Sequence, residues 1–198
     1  MGGYVEFAQF YDRLTENIDY CEMAEYYIGF IRKHKGKGLL LDLACGTGSL
    51  TIALKNKGFE VWGADASAEM LSIAQGKDNP DIFWLCQDMT RLNLSGKIGI
   101  CTCALDSFNH LPSKKAFAKS LAAIARNMDK GGLLLFDVNS PFKHESILAD
   151  NTFVYDLGDI FCVWENEFSK RENRVDISLN IFSEGKNGKY SRTEEFFS

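Results

Sequence analysis

Two aspartates and two glycines carry the first chemical signal in this chain. Asp42 lies four residues before Gly46, and Gly46 and Gly48 punctuate the turn that follows the apolar run Leu39-Leu40-Leu41. Glycine lacks a Cβ, so such a turn takes left-handed backbone angles and lets main-chain N–H groups approach a ligand closely. A second carboxylate, Asp65, closes the next apolar run, Glu60-Val61-Trp62-Gly63-Ala64, about twenty residues after the turn. In a βαβ unit that position accepts ribose hydroxyls, a role suited to a carboxylate because it offers several acceptor lone pairs. The four residues therefore predict a cradle for a nucleoside-like ligand. Its charge is read from what accompanies the glycines. The third small residue of the dinucleotide fingerprint is replaced here by Thr51, and Asp42 at the mouth of the strand would repel a pyrophosphate and attract a cation. A hydride-transferring, NAD-linked enzyme is disfavoured on both counts.

The segments Asp42-Leu43-Ala44-Cys45-Gly46-Thr47-Gly48, then Asp65, then Gln87-Asp88-Met89, resemble the class I S-adenosylmethionine (SAM)-dependent methyltransferases across roughly residues 36–140. The resemblance implies SAM as cofactor, bound through its sulfonium, ammonium and adenosine. Asp42 then receives the ammonium, directly or through water, with Ala44, Gly46 and Gly48 supplying the turn's backbone contacts. Asp65 takes both ribose hydroxyls, Ala66 and Met70 follow it with Met70 against the adenine face, Asp88 meets the adenine amino group, and the Met89 N–H meets a ring nitrogen. Leu105, with Asp106, belongs to the loop after the fourth strand and walls the pocket. Tyr11-Asp12 followed by Tyr20 resembles the N-terminal segment of a small-molecule subgroup, in which such tyrosines cap the methionine end of SAM. An aromatic face beside a sulfonium contributes on the order of 1 kcal/mol. His110 is the candidate general base, since imidazole titrates near neutrality; anchoring the loop or capping a helix is the competing role. The reaction implied is in-line displacement of the methyl group by a nucleophile on a small-molecule acceptor. The alternative from a different class is an inactive SAM- or S-adenosylhomocysteine-binding regulatory protein.

The elements that must position these residues follow from hydrophobic pattern. Short apolar runs at 38–44, 60–65, 81–87, 98–104 and 132–138 alternate with helical patterns, 67–76 and 114–128 among them. That alternation predicts an α/β fold with a doubly wound, mainly parallel sheet covered by helices on both faces. In the second helix Phe117, Leu121, Ile124 and Met128 share one face, with glycine ending it at Gly131-Gly132. The aromatics of residues 4–34 predict one or two helices whose buried stripe covers the strand ends. Residues 152–198 read as strands at 153–157, 161–169, 174–183 and 189–197, joined by a hairpin turn over Glu184–Lys189. They predict a small appended antiparallel sheet, of the kind inserted after the fifth strand in some members of the family as a lid. The expected organisation is a helical cap (1–34), a SAM-binding core (35–145) and an antiparallel insertion (146–198).

With 198 residues and an apolar fraction of 45%, the chain can bury a sizeable core. A net charge of −5 disfavours a long hold on nucleic-acid backbones, and no Lys/Arg strip with interleaved aromatics appears. There is no run of 18 apolar residues, and Met1-Gly2-Gly3-Tyr4-Val5-Glu6 lacks the marks of a signal peptide, so a cytoplasmic protein is expected. The six cysteines lie mostly in strand-like runs. They read as buried hydrophobes in a reducing compartment rather than as disulfides or a metal site. By comparison with the family, the sequence stops before a closing helix and hairpin. The fifth strand would then present an open edge through which a homodimer could form.

Overall fold

The computed structural model describes residues 4–78, 81–172, 174–185 and 187–197. Met1-Gly2-Gly3, Asn79-Pro80, Asn173, Lys186 of the expected hairpin turn and Ser198 lie outside the description, as do the side chains of Tyr4, Val5 and Glu6. The chain forms two compact units, Glu16–Val138 and a second composed of Met1–Thr15 with Asn139–Ser198.

The Glu16–Val138 unit is built on a parallel sheet. Its strands are β1 (Leu40–Leu43), β2 (Val61–Asp65), β3 (Phe83–Cys86), β4 (Ile98–Cys103) and β5 (Met128–Phe136), in the order β3-β2-β1-β4-β5. β1 pairs with both β2 and β4, with Asp42 opposite Gly63 on one side and Thr102 on the other. The central strands are buried on both faces, which is why β1 and β4 read as apolar apart from Asp42 and Thr102. Strand alternation separates two cores. Leu40 and Ile100 pack with the helices α2 (Tyr20–Lys33) and α3 (Ser49–Asn56) through Ala24, Tyr27, Ile28, Ile31, Leu50 and Leu54. Leu41, Leu43, Cys101 and Cys103 pack on the opposite face with Ala123 and Ile124 of α5 (Lys114–Asn127). The two thiols of Cys101 and Cys103 thus share one buried face, as their spacing predicts. The order of the sheet reverses between β1 and β4, and open α/β sheets bind ligands outside the carboxyl ends of their strands at this kind of switch point.

Short-range polar contacts fix where the helices start. Asp19 caps α2 by accepting from the N–H groups of Cys21 and Glu22, both at 2.9 Å. Ser67 caps α4 (Ala68–Gly76) by accepting from the Met70 N–H at 3.1 Å, and Ser113 caps α5 through the Ala116 N–H at 3.1 Å. α5 ends at Asn127, one residue before the expected bound, and β5 begins at Met128 rather than 132. The cause is the buried Asn127 amide, whose Oδ1 accepts from the Leu94 N–H at 2.8 Å and whose Nδ2 donates to Leu92 O and Ala123 O. These bonds stop the helix and let Met128 pair with Ile98.

In the other unit, an antiparallel sheet runs β6 (Thr152–Asp156), β7 (Ile160–Ser169), β8 (Arg174–Glu184) and β9 (Tyr190–Phe197), each paired with the next. Cys162 lies opposite Ile181 and Trp164 opposite Leu179, so one face carries the buried residues Cys162, Val175, Leu179 and Ile181. The helix α1 (Tyr4–Leu14) belongs to this unit rather than to a cap shared with α2. Phe7 packs on Phe197 with ring centroids 5.5 Å apart, and Arg13 donates to Leu157 O and pairs with Asp159 at 2.8 Å. These side-chain contacts across the sequence are invisible to a local pattern. Among the described residues, no helix is long and apolar enough to cross a membrane.

Candidate active site

The turn between β1 and α3 holds three residues in left-handed conformation: Ala44 (φ 57°), Gly46 (φ 55°) and Gly48 (φ 77°). Gly48 is required for space as well as for its angle. A Cβ there would come within 2.3 Å of the Trp84 ring, which lies over the turn from β3. Gly48→Ala should therefore cost about 2 kcal/mol of stability, from a strained left-handed alanine and a displaced indole, measured by urea unfolding. The two glycines shape the turn, and their own N–H groups are engaged within the protein, one inside the turn and one by the neighbouring strand. The Gly48 N–H donates to Cys45 O at 2.9 Å, and the Gly46 N–H donates to Asp65 Oδ2 at 2.8 Å.

Asp65, at the end of β2, thus pins the glycine turn to the neighbouring strand. Its other oxygen accepts from the Ser67 N–H at 2.8 Å, which fixes the entry to α4. Burial raises its pKa, while the amide donors of Ser67, Gly46 and Ala66 oppose the rise. Ala66 is exposed beside it, whereas Met70 is buried in α4. Gln87 follows β3 with its N–H on Asp65 O at 2.8 Å. Asp88 and Met89 come next, at a short 3-10 turn in which Asp88 Oδ1 accepts from the Thr90 N–H at 2.7 Å. Asp88 is exposed and Met89 half-buried.

Asp42 differs from its expected place at an open strand mouth. It is only 2% exposed, and both oxygens are held by hydroxyls: Thr51 Oγ1 donates to Oδ2 at 2.6 Å and Thr102 Oγ1 donates to Oδ1 at 2.9 Å. Burial pushes its pKa up to about 6, against the two threonine bonds that favour the charged form. The reason lies in the sheet, since β1 is central and Asp42 shares its face with Leu40 under α2 and α3. Sequence reasoning treated Thr51 only as a departure from the dinucleotide pattern and passed over Thr102. The available signal was a hydroxyl between two cysteines in an otherwise apolar, buried strand.

The loop after β4 lies across the switch point from the glycine turn. Leu105 (φ 55°) packs against the core that contains Tyr20, Tyr27 and Ala104. Asp106 (φ 49°) opens a 3-10 turn, Ser107–His110, that leaves His110 exposed at its end. Tyr20 is the first residue of α2 and sits half-buried on that core. Tyr11 is carried by the other unit, on α1, where its ring meets Phe7 edge-on at 5.6 Å. A residue absent from the sequence reading, Asp137 at the end of β5, accepts from the Tyr27 hydroxyl at 3.1 Å and from the Asp106 N–H at 2.7 Å. Burial and the adjacent Asp137 push the Tyr27 phenol up, so it stays protonated.

A parallel sheet whose switch point carries a glycine turn and converging carboxylates defines a nucleoside-binding α/β protein with a preference for positive charge. Residues 40–132 match the model of the methyltransferase domain family. YqeM of Bacillus subtilis (strain 168), named only as a methyltransferase, is 35% identical over 182 residues, covering 90% of this chain and 72% of that protein. The crystal structure of an S-adenosylmethionine-dependent methyltransferase from Clostridium acetobutylicum ATCC 824 superposes with a TM-score of 0.83 at 34% identity, covering 98% of this chain and 80% of that one. The dTDP-3-amino-3,6-dideoxy-alpha-D-glucopyranose N,N-dimethyltransferase of Streptomyces fradiae is 30% identical over 135 residues, 67% of this chain and 52% of that enzyme. The chain belongs to the SAM-dependent methyltransferases. The donor set fits the cofactor: carboxylates at the ends of β1 and β2, and Asp88 just after β3, carry the sign for a sulfonium and an ammonium and the acceptors for hydroxyls and an amino group.

Proposed function

We propose that this chain methylates a nitrogen of a small-molecule amine, with SAM held at the carboxyl ends of β1, β2 and β3. The observation that carries the reading is the Asp65 carboxylate, half-buried at a strand end and tied to the glycine turn at 2.8 Å. Its remaining lone pairs are acceptors for a ribose diol. Asp42 supplies negative charge for the ammonium from behind its two threonines. Asp88 and Met89 serve the adenine edge, Ala66 and Met70 its surroundings, and Ala44, Gly46 and Gly48 give the turn its shape. Tyr20 with Leu105 forms the aromatic and apolar wall of the methionine end, and Tyr11 is proposed for the same end on the resemblance alone. Bound there, SAM supplies a methyl carbon activated by a positive sulfur.

The chain's own contribution is to align an acceptor nitrogen with that carbon and keep water away. Alignment of two reactants is worth effective molarities of about 10⁵ M or more. The amine is favoured because the sugar relative named above is an N,N-dimethyltransferase. His110 takes the proton that the nitrogen must lose. His110→Ala is accordingly expected to lower kcat about a hundredfold, the ordinary scale of general-base catalysis, with SAM affinity unchanged. A homodimer is proposed through β5, an edge strand among the described residues whose Phe136 is exposed.

The test is incubation with methyl-labelled SAM and a panel of amines, including glycine, sarcosine and amino-sugar nucleotides, beside matched alcohols and thiols. Label appearing on an amine supports the reading. Label confined to alcohols or thiols rejects the nitrogen assignment.

A further inference from the structure

Leu105 and Asp106 are consecutive non-glycine residues with positive φ, at 55° and 49°, in the loop that opens from the carboxyl end of β4. Side chains rarely adopt this region, and a run of two persists only where surrounding structure over-determines it. Hydrogen bonds inside and outside the loop do so here. The Ser107 hydroxyl donates to Ala104 O at 2.7 Å, and the Asn109 N–H donates to Asp106 O at 2.7 Å, but both lie within the loop itself. A contact that reaches outside the loop is the Asp106 N–H on Asp137 Oδ2, also at 2.7 Å. Asp137 is anchored in turn by the Tyr27 hydroxyl on its other oxygen at 3.1 Å. The chain α2–Tyr27–Asp137–Asp106 therefore links a buried helix residue, the end of β5 and the strained loop through one carboxylate.

We infer that Asp137 is a positioning residue for methyl transfer: its carboxylate, held by Tyr27, keeps the Leu105–Asp106 turn in its left-handed shape and thereby fixes the wall of the crevice. The consequence for the reaction rests on the reading that this crevice holds SAM and its acceptor. Leu105 is the element that transmits it, because its side chain packs on the core shared with Tyr20, Tyr27 and Ala104. A turn released from Asp137 relaxes towards negative φ, withdraws Leu105 from that core and loosens the methionine end of the pocket. The bond to the Asp106 amide is made from outside the loop, by a carboxylate just past the end of β5.

The experiment is hydrogen–deuterium exchange of the whole chain, with and without S-adenosylhomocysteine, for wild type, Asp137→Ala, Asp137→Asn, Tyr27→Phe and Asp106→Gly, alone and combined with Asp137→Ala. Asp137→Ala should speed exchange of residues 104–108 by about tenfold, the scale expected for a lost hydrogen bond to a charged group, and weaken S-adenosylhomocysteine binding by about as much. Asp137→Asn, which keeps a carbonyl for the Asp106 amide, should stay near wild type, with Tyr27→Phe between the two. Glycine takes positive φ without penalty, so the effect of Asp137→Ala should shrink in the Asp106→Gly background. Unchanged exchange at 104–108 in Asp137→Ala overturns the proposal. So does acceleration spread over β1 and β4 that Asp106→Gly leaves undiminished, because that is the mark of a general structural role. If wild type does not bind S-adenosylhomocysteine, the functional reading falls, while the exchange comparison still decides whether Asp137 holds the turn.

Discussion

Asp65→Asn is expected to weaken binding of SAM and S-adenosylhomocysteine by about a thousandfold while leaving a folded protein. The wild-type carboxylate serves two amide donors, Gly46 and Ser67, each at 2.8 Å, and keeps lone pairs for the ribose. The two amides bond different oxygens, so the NH2 group of an asparagine must face one of them and orphan that donor, freeing either the glycine turn or the entry to α4. The ribose in turn loses an acceptor of charged strength. Two such bonds at about 2 kcal/mol each give roughly 4 kcal/mol, the origin of the thousandfold figure. Urea unfolding of the variant separates the two losses, with about 1–2 kcal/mol expected in stability from the amide contact alone. Calorimetric binding within a few-fold of wild type would remove Asp65 from the ribose site.

The second large effect is a pH dependence set by Asp42. Its carboxyl titrates at about 6 in the folded chain, against 3.8 for an unperturbed aspartate. The fold therefore holds this proton more tightly than the unfolded chain does. The contribution of Asp42 to stability is fully present below pH 4, falls as pH rises through about 6, and is constant above that. Binding of a cationic cofactor has the opposite preference, because it favours the ionised form. Affinity for SAM should thus be level above pH 7 and fall below pH 6, approaching tenfold per pH unit, with proton release on binding near pH 5.5.

The groups coupled to Asp42 do not mask this. The phenol of Tyr27 and the thiols of Cys45, Cys101 and Cys103 are all pushed up and stay neutral, which leaves Asp65 as the other titrating neighbour. Calorimetry in buffers of different ionisation enthalpy reads the proton directly. Thr51→Val removes a bond that favours the charged form, so the midpoint should move upward. A midpoint that moves downward, or an affinity flat from pH 5 to 8, contradicts the role assigned to Asp42.

Much of this architecture was legible in the sequence because its cause is local. The five parallel strands follow from apolar runs too short for buried helices, and the β8 strand shows in the alternation Val175-Asp176-Ile177-Ser178-Leu179-Asn180-Ile181. Bounds slipped where a single side chain decides, as at Asn127, whose amide ends α5 early by bonding a loop 33 residues away. The glycine turn and Asp65 were legible as a spacing. What spacing could not supply is burial and partnership. Tyr26 and Tyr27 are neighbours in a stripe read as buried, yet Tyr26 is 66% exposed and Tyr27 7%, since only the latter faces the sheet. Thr102 is 60 residues from Asp42, and Asp137 is 31 from Asp106, so neither partnership leaves a local trace.

The most direct test of the account is calorimetric titration of the chain with SAM, S-adenosylhomocysteine and NAD under identical conditions at pH 7.5. The glycine turn, the buried Asp42, the half-buried Asp65 and Asp88 predict binding of both adenosyl ligands at micromolar concentration and no measurable binding of NAD. Binding of NAD with neither adenosyl ligand taken up would contradict the assignment of the crevice and, with it, every residue role proposed for the site.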